Sequence, residues 1–302
     1  MAEVKSRTYR SMQNSLVGLF FYLITLVLSF ISRKVYLDHL GTELLGLNTT
    51  AQNLLGFLNI AELGIGSAIA CTLYKPLFDK DEKAINEIVS LQGWLYRKIA
   101  LIVGGGAGVL MAFFPLIFAK SELPIGYAYL SFGVFLTSSL LSYFINYNVI
   151  VLSANQKDFL LKGSYNTVLI IKIIIQILAV KYFEHPYVCW CAIEFSFAFI
   201  ASGVSQFVVK KDSPFLHTNI KTGKALSAQY TEVITKVKQL FFHKIAGFVL
   251  NQSWTIIMYA FTNLSMVALV GNYTAITNSI RGFVSAACGN IGASVGNLVS
   301  AG

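Results

Sequence analysis

The run Ser15–Ser32, SLVGLFFYLITLVLSFIS, carries no charged side chain, and it decides which solvent this chain folds in. A helix needs about 20 mostly apolar residues to cross the hydrocarbon of a bilayer. This run is close to that length, with Lys5, Arg7 and Arg10 before it and Arg33 and Lys34 after it. No small-residue cleavage site follows, so the segment is expected to remain as a membrane anchor and not to be removed as a signal peptide. Working outward, further apolar runs lie near 46–74, 93–118, 126–152, 163–181, 187–209, 241–261 and 267–299. The expectation is an all-α membrane protein of about eight transmembrane helices.

Composition agrees. The 302 residues are 55% hydrophobic and only 12% charged, against about 25% charged in a typical soluble domain. That is too little charge to cover a water-facing surface. The net charge of +9 is explained by topology, and nucleic-acid binding is not expected. Of the 23 lysines and arginines, 17 fall on one side of the expected spans. Four, Arg33, Lys34, Lys120 and Lys181, fall on the other, and Lys172 and Arg281 lie within spans. Positive residues stay on the cytoplasmic side, which places the N-terminus in the cytoplasm.

Organisation follows from the longest polar stretch. Residues 1–210 make a first lobe of six helices. Residues 211–240 read as a cytoplasmic linker that ends in an amphipathic interfacial helix, Tyr230–Leu240. Residues 241–302 begin a second lobe with two helices. An internal echo supports the division. At one constant offset Gly46 meets Gly271, Thr49 meets Thr274, Asn53 meets Asn278, Ala61 meets Ala286 and Gly64 meets Gly289.

Charges inside a membrane cost a few kcal/mol and mark cavities or partners. Four stand out: Glu62, Lys172, Glu194 and Arg281. Glu62 shares a helical stripe with Asn48, Gln52, Asn59 and Gly66, a polar face that lines water or binds another polar helix. The eighth span carries a matching stripe, Thr274, Asn278, Arg281, Ser285, Gly289, Gly292 and Gly296. Arg281 facing a cavity would make an anion site, or it could pair with Glu62 or snorkel. Lys172 lies too deep to snorkel and is expected at a cavity. Glu194 lies about a third of the way into its span from the outer end, and its pairing with Lys172 is left open by the sequence. Arg33, taken alone, reads as an interfacial anchor.

Other features are read as structural. Tyr22, Tyr36, Tyr127, Tyr182 and Tyr187 near span ends suggest interfacial belts. Gly104-Gly105-Gly106-Ala107-Gly108 lacks the strand and lysine of a phosphate loop and suggests close helix packing. The cysteines, Cys71, Cys189, Cys191 and Cys288, have no metal or redox spacing, and the four histidines are scattered. No catalytic constellation is present. An enzyme is not expected, nor is a metal site or a cofactor.

Several stretches resemble one family. They are Arg10-x-x-x-Asn14 before Phe30-Ile31-Ser32-Arg33, then Leu40-Gly41 and Leu45-Gly46-Leu47-Asn48. The run Ala61-Glu62-Leu63-Gly64-Ile65-Gly66-Ser67-Ala68, continuing to Leu73-Tyr74-Lys75-Pro76-Leu77, is the most specific. Lys236-Val237-Lys238, Asn251-Gln252-Ser253 and Val267–Tyr273 complete the set. Together they resemble the O-antigen and capsular polysaccharide flippases of the multidrug/oligosaccharidyl-lipid/polysaccharide exporter superfamily. The resemblance implies two helical lobes around a cationic cavity. It implies translocation of undecaprenyl-diphosphate-linked oligosaccharide across the bacterial inner membrane by alternating access. The implied partners are that lipid, the bilayer, and a polysaccharide polymerase or the remainder of a second lobe. The substrate-contacting candidates are then Arg33, Asn53, Lys172, Asn278 and Arg281, with Glu62 and Glu194 serving ion coupling or helix pairing. Two departures stand against the pattern. The chain stops after two helices of the second lobe, as a truncated product or fragment would, and Trp254 stands where the family often has an acidic residue. Two alternatives are a cation-coupled multidrug exporter working through Glu62 and a non-transporting membrane protein.

Overall fold

The computed structural model describes residues 2–62 and 64–288. Among the described residues the chain is helical and contains no strand. The helices are α1 (Ala2–Leu58), α2 (Ile65–Asp79), α3 (Glu82–Ala112), α4 (Phe114–Ile117), α5 (Ile125–Phe144), α6 (Ile150–Ala154), α7 (Asp158–Tyr182), α8 (Pro186–Asp212), α9 (Gly223–Gln229), α10 (Thr231–Phe261) and α11 (Leu264–Cys288). Among the described residues five, α1, α3, α5, α7 and α8, are long and apolar enough to cross a membrane. The end of the eighth expected span, with Gly289, Gly292 and Gly296, lies outside the described residues.

α1 is a hairpin of two arms. Gly41 sits at φ 81°, ψ 174°, a region essentially reserved for glycine. A straight helix would separate Tyr36 from Asn48 by about 18 Å along its axis. Their side chains meet at 2.8 Å, so the chain folds back at Gly41. A Cβ on Gly41 would meet nothing within 4 Å, so the glycine serves backbone conformation and not space.

The expected second span, 46–74, is not one helix. The second arm of α1 ends in a 3₁₀ turn, Asn59–Glu62, and Gly64 at φ 93° starts α2. Here too glycine is required, both by its φ and because an added Cβ would lie 2.8 Å from Leu240 Cβ. The polar stripe does not line one space. Gln52, Asn59 and Glu62 share one hollow, whereas Asn48 is buried elsewhere. Its amide donates to Tyr36 Oη at 2.8 Å, and its oxygen accepts from Ser131 Oγ at 2.6 Å and Tyr187 Oη at 2.8 Å. Buried polar groups need partners, and Asn48 ties α1, α5 and α8 together. Tyr36 and Tyr187 are therefore core residues, not interfacial belts.

The core runs along α3, where Ile88, Val89, Leu91, Val103 and Ala107 are buried against Phe114 and Phe132. Leu101, Leu116 and Phe20 point outward, as lipid-facing residues do. Of the glycine run in α3, only Gly106 makes a close approach, to Leu58. Gly104, Gly105 and Gly108 face open space, so the helix-packing explanation covers one glycine of the four.

Asn14 explains its place in the N-terminal pattern. Its amide donates to Gln156 O at 3.0 Å and its oxygen accepts from Phe159 N at 2.7 Å. It thus occupies an orphan donor in the first turn of α7.

The polar segment after α8 is stitched to α3. Asn86 donates to Phe215 O at 3.0 Å and accepts from His217 N at 2.6 Å, while Ser90 Oγ accepts from Asn219 N at 2.9 Å. Tyr230 Oη donates to Glu87 at 2.7 Å. Burial, and then that carboxylate, push the Tyr230 phenol up from its ordinary pKa. The amphipathic run forms the first turns of α10, which continues unbroken to Phe261. It is not a separate interfacial helix, because no residue between Thr231 and Phe261 breaks the helix.

Candidate functional site

The second arm of α1 and the start of α11 touch backbone to backbone. A Cβ on Gly46 would lie 2.0 Å from the Leu264 carbonyl oxygen. Thr42 and Ser265 hydroxyls meet at 3.0 Å, and Lys120 Nζ donates to Ala260 O at 2.8 Å. Beyond this contact the helices bound a cavity of about 640 Å³. Thr49, Gln52 and Asn53 line it from α1, and Thr274, Thr277, Asn278 and Arg281 line it from α11. Arg33 and, from α10, Trp254 and Thr255 complete the wall. The echo pairs Thr49/Thr274 and Asn53/Asn278 thus line one space. Asn53 spends its amide on the Thr49 carbonyl one turn earlier, at 2.7 Å.

A second cavity, of about 500 Å³, lies between the first arm of α1, α7 and α11. Tyr22, Phe30, Leu169 and Lys172 are among its lining residues. It shares Arg33, Ala275 and Asn278 with the first cavity. A third hollow, of about 370 Å³, shares Gln52 with the first and contains Asn59, Glu62, Ser138, Ser139, Tyr143 and Tyr165.

The charges are distributed unevenly. Arg33 Nε donates to Asn272 Oδ1, and its Nη2 reaches Ala268 O at 3.5 Å. Both partners are neutral, and among the described residues no carboxylate pairs with the guanidinium. Arg33 is thus held against α11 at the junction of two cavities, because α1 continues as helix past Ser32 and carries it inward to α11 rather than leaving it as an interfacial anchor. Arg281 is exposed to the first cavity, and among the described residues it holds neither a hydrogen bond nor an ion pair. Pairing with Glu62 does not occur. Lys172 lines the second cavity, but its Nζ lies 2.7 Å from Glu194 Oε1. Gln176 donates to the other carboxylate oxygen at 2.8 Å. The Lys172 charge is therefore balanced locally, and Glu194 serves helix pairing between α7 and α8. Among the described residues no aspartate or glutamate lines either of the first two cavities.

Among the described residues Glu62 is the only charged group of the third hollow. Tyr96 Oη donates to its Oε1 at 2.9 Å, and neighbouring Asn59 Oδ1 accepts from Ser139 and Tyr143 at 3.1 and 3.0 Å. Among the described residues no group of acidic, histidine or cysteine side chains could hold a metal ion.

Some of this was not visible in sequence. Tyr22 lines the second cavity and donates to the Ser279 carbonyl, although its position near a span end suggests a belt. Trp254 and Thr255 come from a helix with no readable polar stripe. Gln52, common to two cavities, had a signal in its stripe with Glu62.

No protein-family model matches the chain, and no curated protein or solved structure matches it either.

Proposed function

We propose that the chain is a membrane carrier, or part of one, for a lipid-diphosphate-linked oligosaccharide, acting as a polysaccharide flippase in a bacterial inner membrane. The observation that carries this reading is the pair of guanidinium groups, Arg33 and Arg281, on one cavity that has no acidic lining or ion-pair partner for them among the described residues. Arginine is ionised at any physiological pH and binds phosphate through two parallel hydrogen bonds. A diphosphate crossing hydrocarbon needs fixed counter-charge, and these two residues supply it. The shared Asn278 and Ala275 give the anion a route into the second cavity, whose Phe30 and Leu169 suit a hydrocarbon chain. The sequence resemblance points the same way. In this reading the two arms of α1, the first arm alone and the second with α2, join α3, α5, α7, α8, α10 and α11 to give about eight crossings. The N-terminus then lies in the cytoplasm, as the lysine and arginine distribution requires. The work is binding and conformational exchange, with no covalent step.

The test is display of surface polysaccharide in cells that depend on this gene for it. Arg33→Ala with Arg281→Ala is expected to abolish display at unchanged membrane abundance, and the matching lysine variants to restore part of it. Full display by the double alanine variant would remove the cationic cavity as the basis of transport.

A further inference from the structure

The proposed carrier has cavities of opposite character, and their arrangement restricts what a substrate can be. Among the described residues the first cavity holds Arg33 and Arg281 and no acid, and the third holds Glu62 and no lysine or arginine. Gln52 lines both. A ligand that occupies the two together must be anionic at one end and must not be anionic at the other.

The third hollow is built for hydroxyl and amine groups. Gln52, Ser138 and Tyr165 line it and, among the described residues, hold no hydrogen bond, so their donors and acceptors are free for a ligand. Ser202 Oγ accepts from Asn146 at 3.1 Å and keeps its own proton to give. Glu62, two residues before the helix break at Gly64, is held by Tyr96. A site of convergent hydrogen-bonding groups discriminates strongly, because a ligand that leaves them unpaired pays their desolvation. A carboxylate brought beside Glu62 in this partly open hollow meets like-charge repulsion.

We propose that this hollow is the sugar-binding subsite of the carrier, and that Glu62 makes it selective by charge. It accepts neutral or ammonium-bearing sugars next to the diphosphate and rejects uronic acids there. The proposal rests on the transport reading above for the position of the diphosphate. Glu62 then sets which glycans can be carried and need not bind the diphosphate at all.

The experiment is equilibrium binding to the purified full chain in lipid nanodiscs, with four probes. These are farnesyl diphosphate and its glucosyl, glucosaminyl and glucuronosyl esters on the terminal phosphate. Farnesyl diphosphate is expected to bind, and Arg281→Ala to weaken all four probes by a common factor of about tenfold. The glucosyl ester should bind more tightly than farnesyl diphosphate, the glucosaminyl ester more tightly still, and the glucuronosyl ester at least tenfold more weakly than the glucosyl ester. Glu62→Gln keeps the shape and the hydrogen bonding but removes the charge. It should bring the three sugar esters to within about threefold of one another while leaving farnesyl diphosphate unchanged. If farnesyl diphosphate itself does not bind, the transport reading fails. If it binds and Arg281→Ala weakens it, but the wild type treats the three esters alike or Glu62→Gln leaves their order intact, the charge-selective subsite fails alone.

Discussion

The Lys172–Glu194 pair can be tested as a structural unit, and the size of the effect follows from its surroundings. The Nζ–Oε1 distance is 2.7 Å, and each side chain is only 16% exposed. An exposed ion pair contributes about 0–1 kcal/mol. This one lies between two apolar helices, where removing one partner strands a charge at a cost of about 3–5 kcal/mol. Glu194→Ala should therefore be the most damaging single change at the pair, because an ammonium remains with no acceptor. Lys172→Met should be milder, because Glu194 keeps the Gln176 bond. Replacing both, as Lys172→Met with Glu194→Leu, should return stability to within about 1 kcal/mol of the parent, since a well-packed apolar pair often replaces a buried ion pair without loss.

At about 2 °C per kcal/mol for a chain of this size, Glu194→Ala should lower the unfolding midpoint by roughly 6–10 °C. Tryptophan-monitored melting in lipid nanodiscs reads this directly. A loss below about 2 °C would show that water screens the pair. A double variant as unstable as the worse single variant would show that volume, not charge, is what matters there. The double variant should also retain farnesyl diphosphate binding, because the balanced pair adds no net charge to the second cavity.

Two further changes probe the scaffold. Gly41→Ala forces a Cβ into a backbone region that costs about 1–3 kcal/mol, and the methyl itself meets no neighbour, so the loss in midpoint should be the same for alanine and for serine. Asn48→Ala removes the partner of Tyr36, Ser131 and Tyr187 at once. With three buried hydroxyls affected, it should cost roughly 2–5 kcal/mol, and single Tyr36→Phe in that background should cost almost nothing more.

The helical class and the approximate places of the apolar segments were legible because lipid demands long uncharged runs, which a sequence displays directly. What failed was continuity. Span two reads as one helix because hydropathy does not register a backbone break, yet Gly64 adopts a positive φ that only local conformation reveals. The linker helix and the span after it read as two elements because their polarity differs, and the backbone ignores that difference. Among the site residues, Glu62, Lys172, Glu194 and Arg281 were visible because each is costly in hydrocarbon. The Lys172–Glu194 pairing was among the readings of the sequence, whereas the Tyr96 partner of Glu62 was not visible, since pairing depends on which helix faces which. Arg33 was the clearest case. At the end of an apolar run it looks like an anchor, and only the packing of the first arm of α1 on α11 shows that it faces a cavity.

The repeated segments give the site its form. Thr49, Gln52 and Asn53 line the first cavity from α1, and Thr274, Thr277 and Asn278 line it from α11, all at the same offset along the chain. A neutral polar wall is therefore present in both copies. The charges are not duplicated: the position matching Arg281 is Gly56, and the one matching Arg33 is Met258. A frame with equivalent hydrogen-bonding groups on both sides can hold a polar guest without committing to its sign. The sign is set by the residues in which the copies differ, both of them arginines, while Glu62 sets the opposite sign in the hollow next door. On the proposed transport reading, selectivity depends on a few unmatched side chains placed on a matched frame. Exchanging those residues should change which ligands bind while leaving the fold intact.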